Sequence, residues 1–282
     1  LCGLKCPLIY DIRAFAGEYI DCGRIKANSI FAIFLIWFEK KLIKKASGVV
    51  VLDQSGHEYI KTNFKKIKGK LKVIPTCCDT KIFTNKKIKE NNPDRNFYRF
   101  VFLGGARFPY RADLALILIK SLNDNNIPSK IDFINERDQN IIQEHCMNLN
   151  ISRDYYSIFY LPQNEVSLHL SKYDSGLIFN TSGYWRKKSC PTKLAEYLAS
   201  GLHIISIKGI NVIDRLAKEE PDIFDLFDEV EIKNGVTRNR LEKIKTKIKN
   251  KLKSKNARKI AKRNFDISRA NLLYKELYKE LI

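Results

Sequence analysis

Ser189-Cys190-Pro191-Thr192-Lys193-Leu194-Ala195-Glu196-Tyr197-Leu198-Ala199-Ser200-Gly201 is the stretch on which the fold turns. Pro191 suits the first position of a helix, where no amide donor is needed, and Gly201 suits the left-handed stop at the far end. The spacing predicts a short, well-bounded helix over 191–200. It is flanked by two short apolar runs, 175–179 and 203–206, that read as buried strands. Strand, crossing helix and strand imply parallel pairing.

The same alternation continues outward. Upstream, strands are predicted at 97–103, 130–134 and 156–160, with helices over 112–123, 138–148 and 164–172. Further upstream, 7–12, 48–52 and 70–75 read as buried strands. Residues 30–45 and 55–64 read as helices, the second with Ser55 as its N-cap. The pattern is that of a doubly wound α/β protein with parallel sheets. Composition changes over 84–96, where Ile88 is the one large apolar residue. The expected division is therefore a first α/β domain over 1–84, a linker over 85–96, a second α/β domain over 97–255, and C-terminal helices over 256–282. No internal repeat of solenoid period is present.

The chain has 282 residues, more than one hydrophobic core usually holds, and is 44% hydrophobic and 29% charged. That composition excludes disordered, collagenous and low-complexity classes. The longest apolar run, Ile30 to Phe38, is nine residues, against about twenty for a membrane-spanning helix. Trp37-Phe38-Glu39 within it reads as core packing. The first residue is Leu and no secretory leader is legible, so the sequence reads as a fragment. Seven cysteines without a repeated Cys-x-x-Cys argue against a disulfide framework or zinc ribbon, and favour a reducing cytoplasm. The four histidines offer no metal-ligand spacing, so neither a metal nor another cofactor is expected.

The formal net charge is +20, which favours anionic partners. Between Leu241 and Phe265 there are nine Lys, two Arg and one Glu, so half of the excess lies in one stretch. Leu241, Ile244, Ile248 and Leu252 recur there at helical spacing, giving an amphipathic helix with a lysine-covered face. Such a face is either simply solvated or drawn to an anionic membrane surface. Nucleic acid is not expected as a partner. The chain lacks a helix-turn-helix, zinc or aromatic RNA-binding signature, and its excess charge is concentrated near one end.

Two stretches carry chemistry. The amides at the start of the 191–200 helix, with Pro191, Thr192 and Lys193, would hold a phosphate. Glu196, one turn on, could accept hydrogen bonds from vicinal ribose hydroxyls, although Lys193 and Glu196 would also suit a plain surface pair. Gly104-Gly105, after the strand at 97–103, lets backbone approach a ligand, and Arg107 and Arg111 could grip a diphosphate. A turn with two solvated arginines fits that segment equally well.

Val73-Ile74-Pro75-Thr76-Cys77-Cys78-Asp79 with Phe83, the post-strand glycines, and Pro191 to Gly201 together resemble the family 4 type of GT-B glycosyltransferases. The resemblance covers essentially the whole chain. It implies two Rossmann-like domains, the first incomplete, with about 80–120 residues missing upstream of Leu1. It also implies terminal helices that pack back toward the first domain. The expected activity is transfer of a sugar from a nucleotide-sugar to a cell-envelope or polysaccharide acceptor, glycan or lipid-linked, with retention and without a metal. By position, Glu196 would bind the donor ribose, Arg107 or Arg111 with Lys193 the diphosphate, and Leu161, in Tyr160-Leu161-Pro162, the base. The chain departs from the family twice. Lys188 stands where a second carboxylate is usual, and Arg13, in Asp11-Ile12-Arg13, stands where many members have His. Asp11 and Arg13 are then the catalytic candidates, with a structural Asp11–Arg13 pair as the alternative. Cys190 and His203 read as packing residues. The expected location is the cytoplasm, from the cysteine usage, and peripheral at the inner face of the membrane, from the basic stretch. The alternatives are a catalytically incomplete remnant or a basic protein that binds nucleic acid or a membrane surface.

Overall fold

Every strand pair among the described residues is parallel, and the strands form two separate sheets. The computed structural model describes residues 6–65, 67–84, 96–181, 183–250 and 252–282. The linker expected over 85–96 lies, but for Asn96, outside the described residues.

The first unit runs β1 (Ile9–Ile12), α1 (Ala16–Asp21), α2 (Ile30–Lys45), β2 (Gly48–Val51), α3 (Gln54–Asn63) and β3 (Lys70–Val73), with strand order β1-β2-β3. Strand β2 is buried along its length, which is why it reads as an uninterrupted Gly-Val-Val-Val. Val49 and Val51 pack with Ile43 of α2 and Ile60 of α3, while Val50 faces the other way. The N-cap of α3 is Asp53 and not Ser55; the Asp53 carboxylate accepts from the Ser55 amide at 3.2 Å and from its hydroxyl at 2.6 Å. Both residues are cap formers, and the chain enters the helix one residue earlier than its pattern suggests.

The second unit runs β4 (Tyr98–Leu103), α4 (Ala112–Asp124), β5 (Ser129–Ile134), α5 (Gln139–Asn148), β6 (Tyr156–Phe159), α6 (Gln163–Leu170), β7 (Ser175–Ile178), α7 (Thr192–Ala199), β8 (His203–Ile207), α8 (Asn211–Glu219) and β9 (Phe224–Phe227). After it come α9 (Glu229–Lys233), α10 (Arg238–Lys249), α11 (Leu252–Asn264) and α12 (Ile267–Leu281). Strand order is β6-β5-β4-β7-β8-β9, a doubly wound sheet whose winding reverses between β4 and β7. Alternate strand residues serve opposite layers. Phe100 and Phe102 of β4 pack with α4 and α10, whereas Val101 packs with α7 and α11.

That alternation explains why the basic stretch 241–265 is two helices rather than one. Leu241, Ile244 and Ile248 of α10 belong to the first layer; Ala257, Ile260 and Ala261 of α11 belong to the second. A single straight helix cannot serve both faces, so the chain breaks after Lys249. Helix α12 then crosses the first sheet, and its Ala270 and Leu277 cover Val50 and Ile74. Elements α1, α8 and β9 were not legible in the sequence.

Helix α2 has the expected bounds but not the expected packing. Trp37 and Phe38 are exposed, not core, because the helix turns Ala32, Glu39 and Ile43 inward instead.

Candidate functional site

A parallel sheet leaves a crevice where its winding reverses, beyond the carboxyl ends of the strands. Here that point lies between β4 and β7. Gly104 and Gly105 leave β4 and α7 starts in the segment that leaves β7, so both sequence-predicted stretches converge there. Helix α7 is pinned in place by Tyr197, whose hydroxyl accepts from the Leu103 amide at 2.8 Å. Its ring lies on Gly176 of β7, where a Cβ would come within 2.3 Å of it.

Gly104 adopts φ +97°, a conformation that L side chains rarely adopt. A Cβ at that position would lie 2.6 Å from Cε of Lys193, so the glycine also makes room for the lysine. The Gly104 carbonyl accepts from Nδ2 of Asn135 at 2.6 Å. The following loop is held by Asp138, which accepts from the Ala106 amide at 3.0 Å and from Nε of Arg107 at 2.8 Å. Against burial, these bonds hold the Asp138 carboxyl below its usual range.

Lys193 and Glu196 are the core of the site. The Lys193 ammonium lies 5.2 Å from the centre of the Tyr110 ring. Neither side chain has a salt-bridge partner among the described residues, although both are partly buried. Burial pushes the Lys193 pKa down and the Glu196 pKa up, and each charge partly offsets the shift of the other. Two titrating groups desolvated in a cleft with no salt bridge to hold them are a signature of a ligand site.

Two cavities meet at Thr192 and Lys193. One, of about 400 Å³, is lined by Gly104, Tyr160, Leu161, Lys193 and Glu196 of the second unit, with Phe83 from the segment before it. The other, of about 220 Å³, lies between the two units; Arg13, Glu18 and Thr76 line one wall, and Asn180, Arg186 and Pro191 the other. The groove is thus built by the carboxyl ends of both sheets facing each other. Thr76 bridges them, donating to the Cys190 carbonyl at 2.6 Å. Cys190 itself is buried and its thiol is pushed up to about 11 by burial, so it packs and does not react.

The structure brings Gly104, Leu161, Pro191, Thr192, Lys193 and Glu196 to one groove, with Arg13 at its far wall; Gly105 lines neither cavity and backs onto Tyr110 and Asp138. It does not bring Arg111 there. The Arg111 guanidinium is held by Asp113 and Glu229, and hydrogen bonding to Asp113 outweighs burial in raising its pKa. Arg107 is tethered to Asp138 with its side chain 73% exposed, and lines neither cavity. Asp11 is not in the groove either. Its Oδ2 accepts from Nε of Arg13 at 3.1 Å and from the Tyr274 hydroxyl at 2.7 Å, which aims Arg13 from behind.

Sequence reasoning missed Glu18, Tyr110, Asn180 and Arg186. Arg186 opens the basic run before Ser189 and could have been noticed; Glu18 lies on a helix that leaves no pattern. The Glu18 side chain accepts from the Phe15 amide at 3.1 Å, and burial pushes its carboxyl up to about 7 against that bond and the Arg186 charge. Lys188 is turned away from the groove. Its ammonium donates to the Tyr184 carbonyl at 2.7 Å and lies 3.9 Å from the Tyr184 ring centre and 5.1 Å from those of Tyr59 and Trp185.

No protein-family model matches the chain, and no curated protein matches its sequence. Solved structures do. Sucrose-phosphate synthase from Thermosynechococcus elongatus superposes with a TM-score of 0.73 at 14% identity, over 97% of this chain and 67% of that one. HepE from Anabaena, in complex with UDP and glucose, gives 0.68 at 15% identity, over 98% of this chain and 72% of that one. The pneumococcal O-GlcNAc transferase GtfA, in complex with UDP and GlcNAc, gives 0.62 at 14% identity, over 86% of this chain and 47% of that one. The chain therefore spans from about half to about three quarters of the length of these structures. They are GT-B glycosyltransferases, and the chain has their two-sheet fold.

Proposed function

We propose that this chain, with its GT-B fold, is a glycosyltransferase that takes a sugar from a nucleotide-sugar donor. One observation carries the reading: Lys193 and Glu196, half-buried and without a salt bridge or hydrogen bond to another side chain among the described residues, stand on α7 and line the same cavity as Gly104. UDP in two of the similar structures supports the same donor class.

In this reading the nucleoside lies in the larger cavity, with the base against Tyr160 and Leu161 and the ribose hydroxyls on Glu196. The diphosphate lies over Lys193, the first amides of α7 and the Gly104-Gly105 backbone. The sugar then points into the cavity between the units, toward Arg13, Glu18, Asn180 and Arg186. A carboxylate from α1, Glu18, takes the place left by Lys188 in gripping the sugar hydroxyls.

Transfer breaks the bond between the anomeric carbon and the diphosphate oxygen. In the retaining course, the acceptor hydroxyl attacks from the same face, and its proton passes to the departing phosphate. Negative charge grows on the diphosphate as the bond breaks, and Lys193, Arg13, Arg186 and the helix amides line the groove around it. These cations supply the stabilisation that a metal-independent course requires. A glycan or lipid-linked acceptor of the cell envelope rests on the sequence resemblance, and a cytoplasmic site at the membrane's inner face on the cysteine usage and the basic stretch.

The test is calorimetric titration of the chain with UDP, GDP and ADP, repeated with Glu196→Gln and Lys193→Ala. Saturable binding of one nucleotide, weakened about tenfold or more by each variant, is expected. A folded chain that binds none of them, or variants that bind as tightly as the parent, overturns the reading.

A further inference from the structure

Helix α2 carries the largest apolar exposure on the described surface, and the groove does not use it. Ile30 is 87% exposed, Ile33 63%, Phe31 58%, Phe34 51%, Trp37 48% and Phe38 44%. Positions 30, 33, 34 and 37 follow helical spacing, so they form one continuous outer stripe. The inner stripe is complete without them: Ala32 and Ile43 are buried, and Glu39 accepts from the Ala16 amide at 2.9 Å and the Tyr10 hydroxyl at 3.3 Å. Phe34 packs on Phe38 and Trp37 within the stripe, and each of the three rings stays about half exposed.

The charges around this stripe are of one sign. Arg24 and Lys26 precede it, and Lys40, Lys41, Lys44 and Lys45 follow it, all exposed. The one acidic residue between Cys22 and Ala46 is the buried Glu39. The Lys41 ammonium lies 4.1 Å from the centre of the Trp37 ring. An apolar, aromatic face bordered by lysines is complementary to an anionic lipid surface, where acyl chains take the rings and headgroups take the ammonium groups. A second copy of the chain would instead bring two lysine borders together. At 1.5 Å per residue the 16 residues of α2 span roughly 24 Å, too short to cross a bilayer core of about 30 Å, so the helix would lie in the interface.

We propose that the Ile30 to Phe38 face of α2 is a membrane-docking surface, inserted into the interface of an anionic phospholipid bilayer. Helix α1, which packs on α2 through Glu39, also supplies Glu18 to the wall of the groove. A side cavity of about 140 Å³, lined by Glu18, Tyr19, Arg24 and Tyr110, continues from the groove toward the segment that leads into α2. Docking therefore sets the acceptor side of the groove beside the bilayer, and the acceptor it would serve is membrane-anchored. That last clause rests on the glycosyltransferase reading; the docking itself does not.

The experiment is flotation of the chain with vesicles of phosphatidylcholine alone and of phosphatidylcholine mixed with phosphatidylglycerol, without nucleotide. The expected result is binding to the mixed vesicles, with a blue shift of tryptophan emission that Trp37→Phe abolishes. A triple Phe34→Ser/Trp37→Ser/Phe38→Ser variant should bind at least about tenfold more weakly and keep the parent's melting temperature. A Lys243→Glu/Lys249→Glu variant, at two exposed positions of α10, should bind almost as the parent does. Absence of binding to the mixed vesicles overturns the proposal. So does retained binding by the triple-serine variant with loss in the Lys243/Lys249 variant, which would assign docking to α10. A concentration-dependent dimer that the triple-serine variant dissociates, without vesicle binding, would assign the face to a second copy and also overturn it. Nucleotide titration is a separate readout, so failure of docking and failure of the donor-site reading are told apart.

Discussion

A Cβ placed on Gly17 would lie 2.1 Å from Nε1 of Trp185. The indole of the second unit thus rests directly on the backbone of α1 in the first, boxed by Phe15, Tyr59 and Tyr184 at ring-centre distances of 5.1 to 5.7 Å. The Asp21 carboxylate completes the clasp, accepting from the amides of Trp185 at 2.7 Å and Arg186 at 3.1 Å. This contact sets the width of the groove between Glu18 and Arg186, because both residues belong to the segments it joins.

Gly17→Ala should therefore prise the units apart at this point. Overpacking of a close contact costs about 1–3 kcal/mol. The expected outcome is a lower melting temperature and a red shift of Trp185 emission, read in a Trp37→Phe background. Unchanged emission and melting would show that the indole has other room to occupy.

Gly104→Ala is expected to act on binding more than on stability. It forces an L residue into φ +97° and pushes a methyl group toward the end of Lys193. The backbone penalty is of the order of 1–2 kcal/mol. The displaced ammonium should weaken nucleotide binding by more than that penalty lowers the unfolding free energy, and paired calorimetry and urea titration would compare the two.

Glu18 should make stability depend on pH in an unusual direction. Burial raises its carboxyl from 4.5 to about 7, so the folded chain holds a proton that the unfolded chain releases. Stability from this group is then complete below pH 4.5 and is lost as pH rises toward 7, by at most about 3 kcal/mol. Glu18→Gln keeps the acceptor for the Phe15 amide and carries no charge. It should be more stable than the parent above pH 7 and equal to it below pH 4.5, by urea titration across that window. In the proposed role it should also weaken binding of the nucleotide-sugar while leaving that of the free nucleotide unchanged.

Asp225 tests the scaffold apart from the site. It is buried between β8 and α10, with Nε2 of His203 at 2.9 Å, Nζ of Lys247 at 3.0 Å and Arg240 at 3.1 Å. Burial raises its pKa, but the His203 and Lys247 contacts outweigh it and hold the carboxyl below 3.8. Its stabilisation is present above that value and is lost as pH falls through the lower folded value. Asp225→Ala should cost about 3–5 kcal/mol at neutral pH, because it takes from His203, Lys247 and Arg240 the buried carboxylate they share. The cost should shrink on acidification, and nucleotide affinity of the folded chain should not change.

The fold was legible because its signals are local. Helix α2 and helix α12 begin and end where their apolar periodicity does, and β2 is read from four consecutive buried residues. The converging halves of the site were legible for the same reason: Gly104-Gly105 ends a strand, and Pro191 to Gly201 bounds a helix. Arg111 looked like a diphosphate ligand because it follows those glycines, and Glu229, which helps to engage it, lies 118 residues away. Helix α1 escaped notice because it has six residues and no side-chain cap, and Glu18 with it.

Strand and helix identity, the parallel winding and the residues beside a strand end or helix start were thus determined by the sequence itself, since each depends on neighbours within a few positions. Which charges stay open to a ligand, and which apolar faces stay open to solvent, was decided only by the tertiary structure. Lys193 and Arg111 are both cations beside a predicted turn, and Trp37 and Trp185 are both aromatics in apolar surroundings. One arginine met two carboxylates and one indole met a glycine across the groove. Lys193 and Trp37 met no such partner, because burial and pairing depend on segments that the chain brings together only after it has folded.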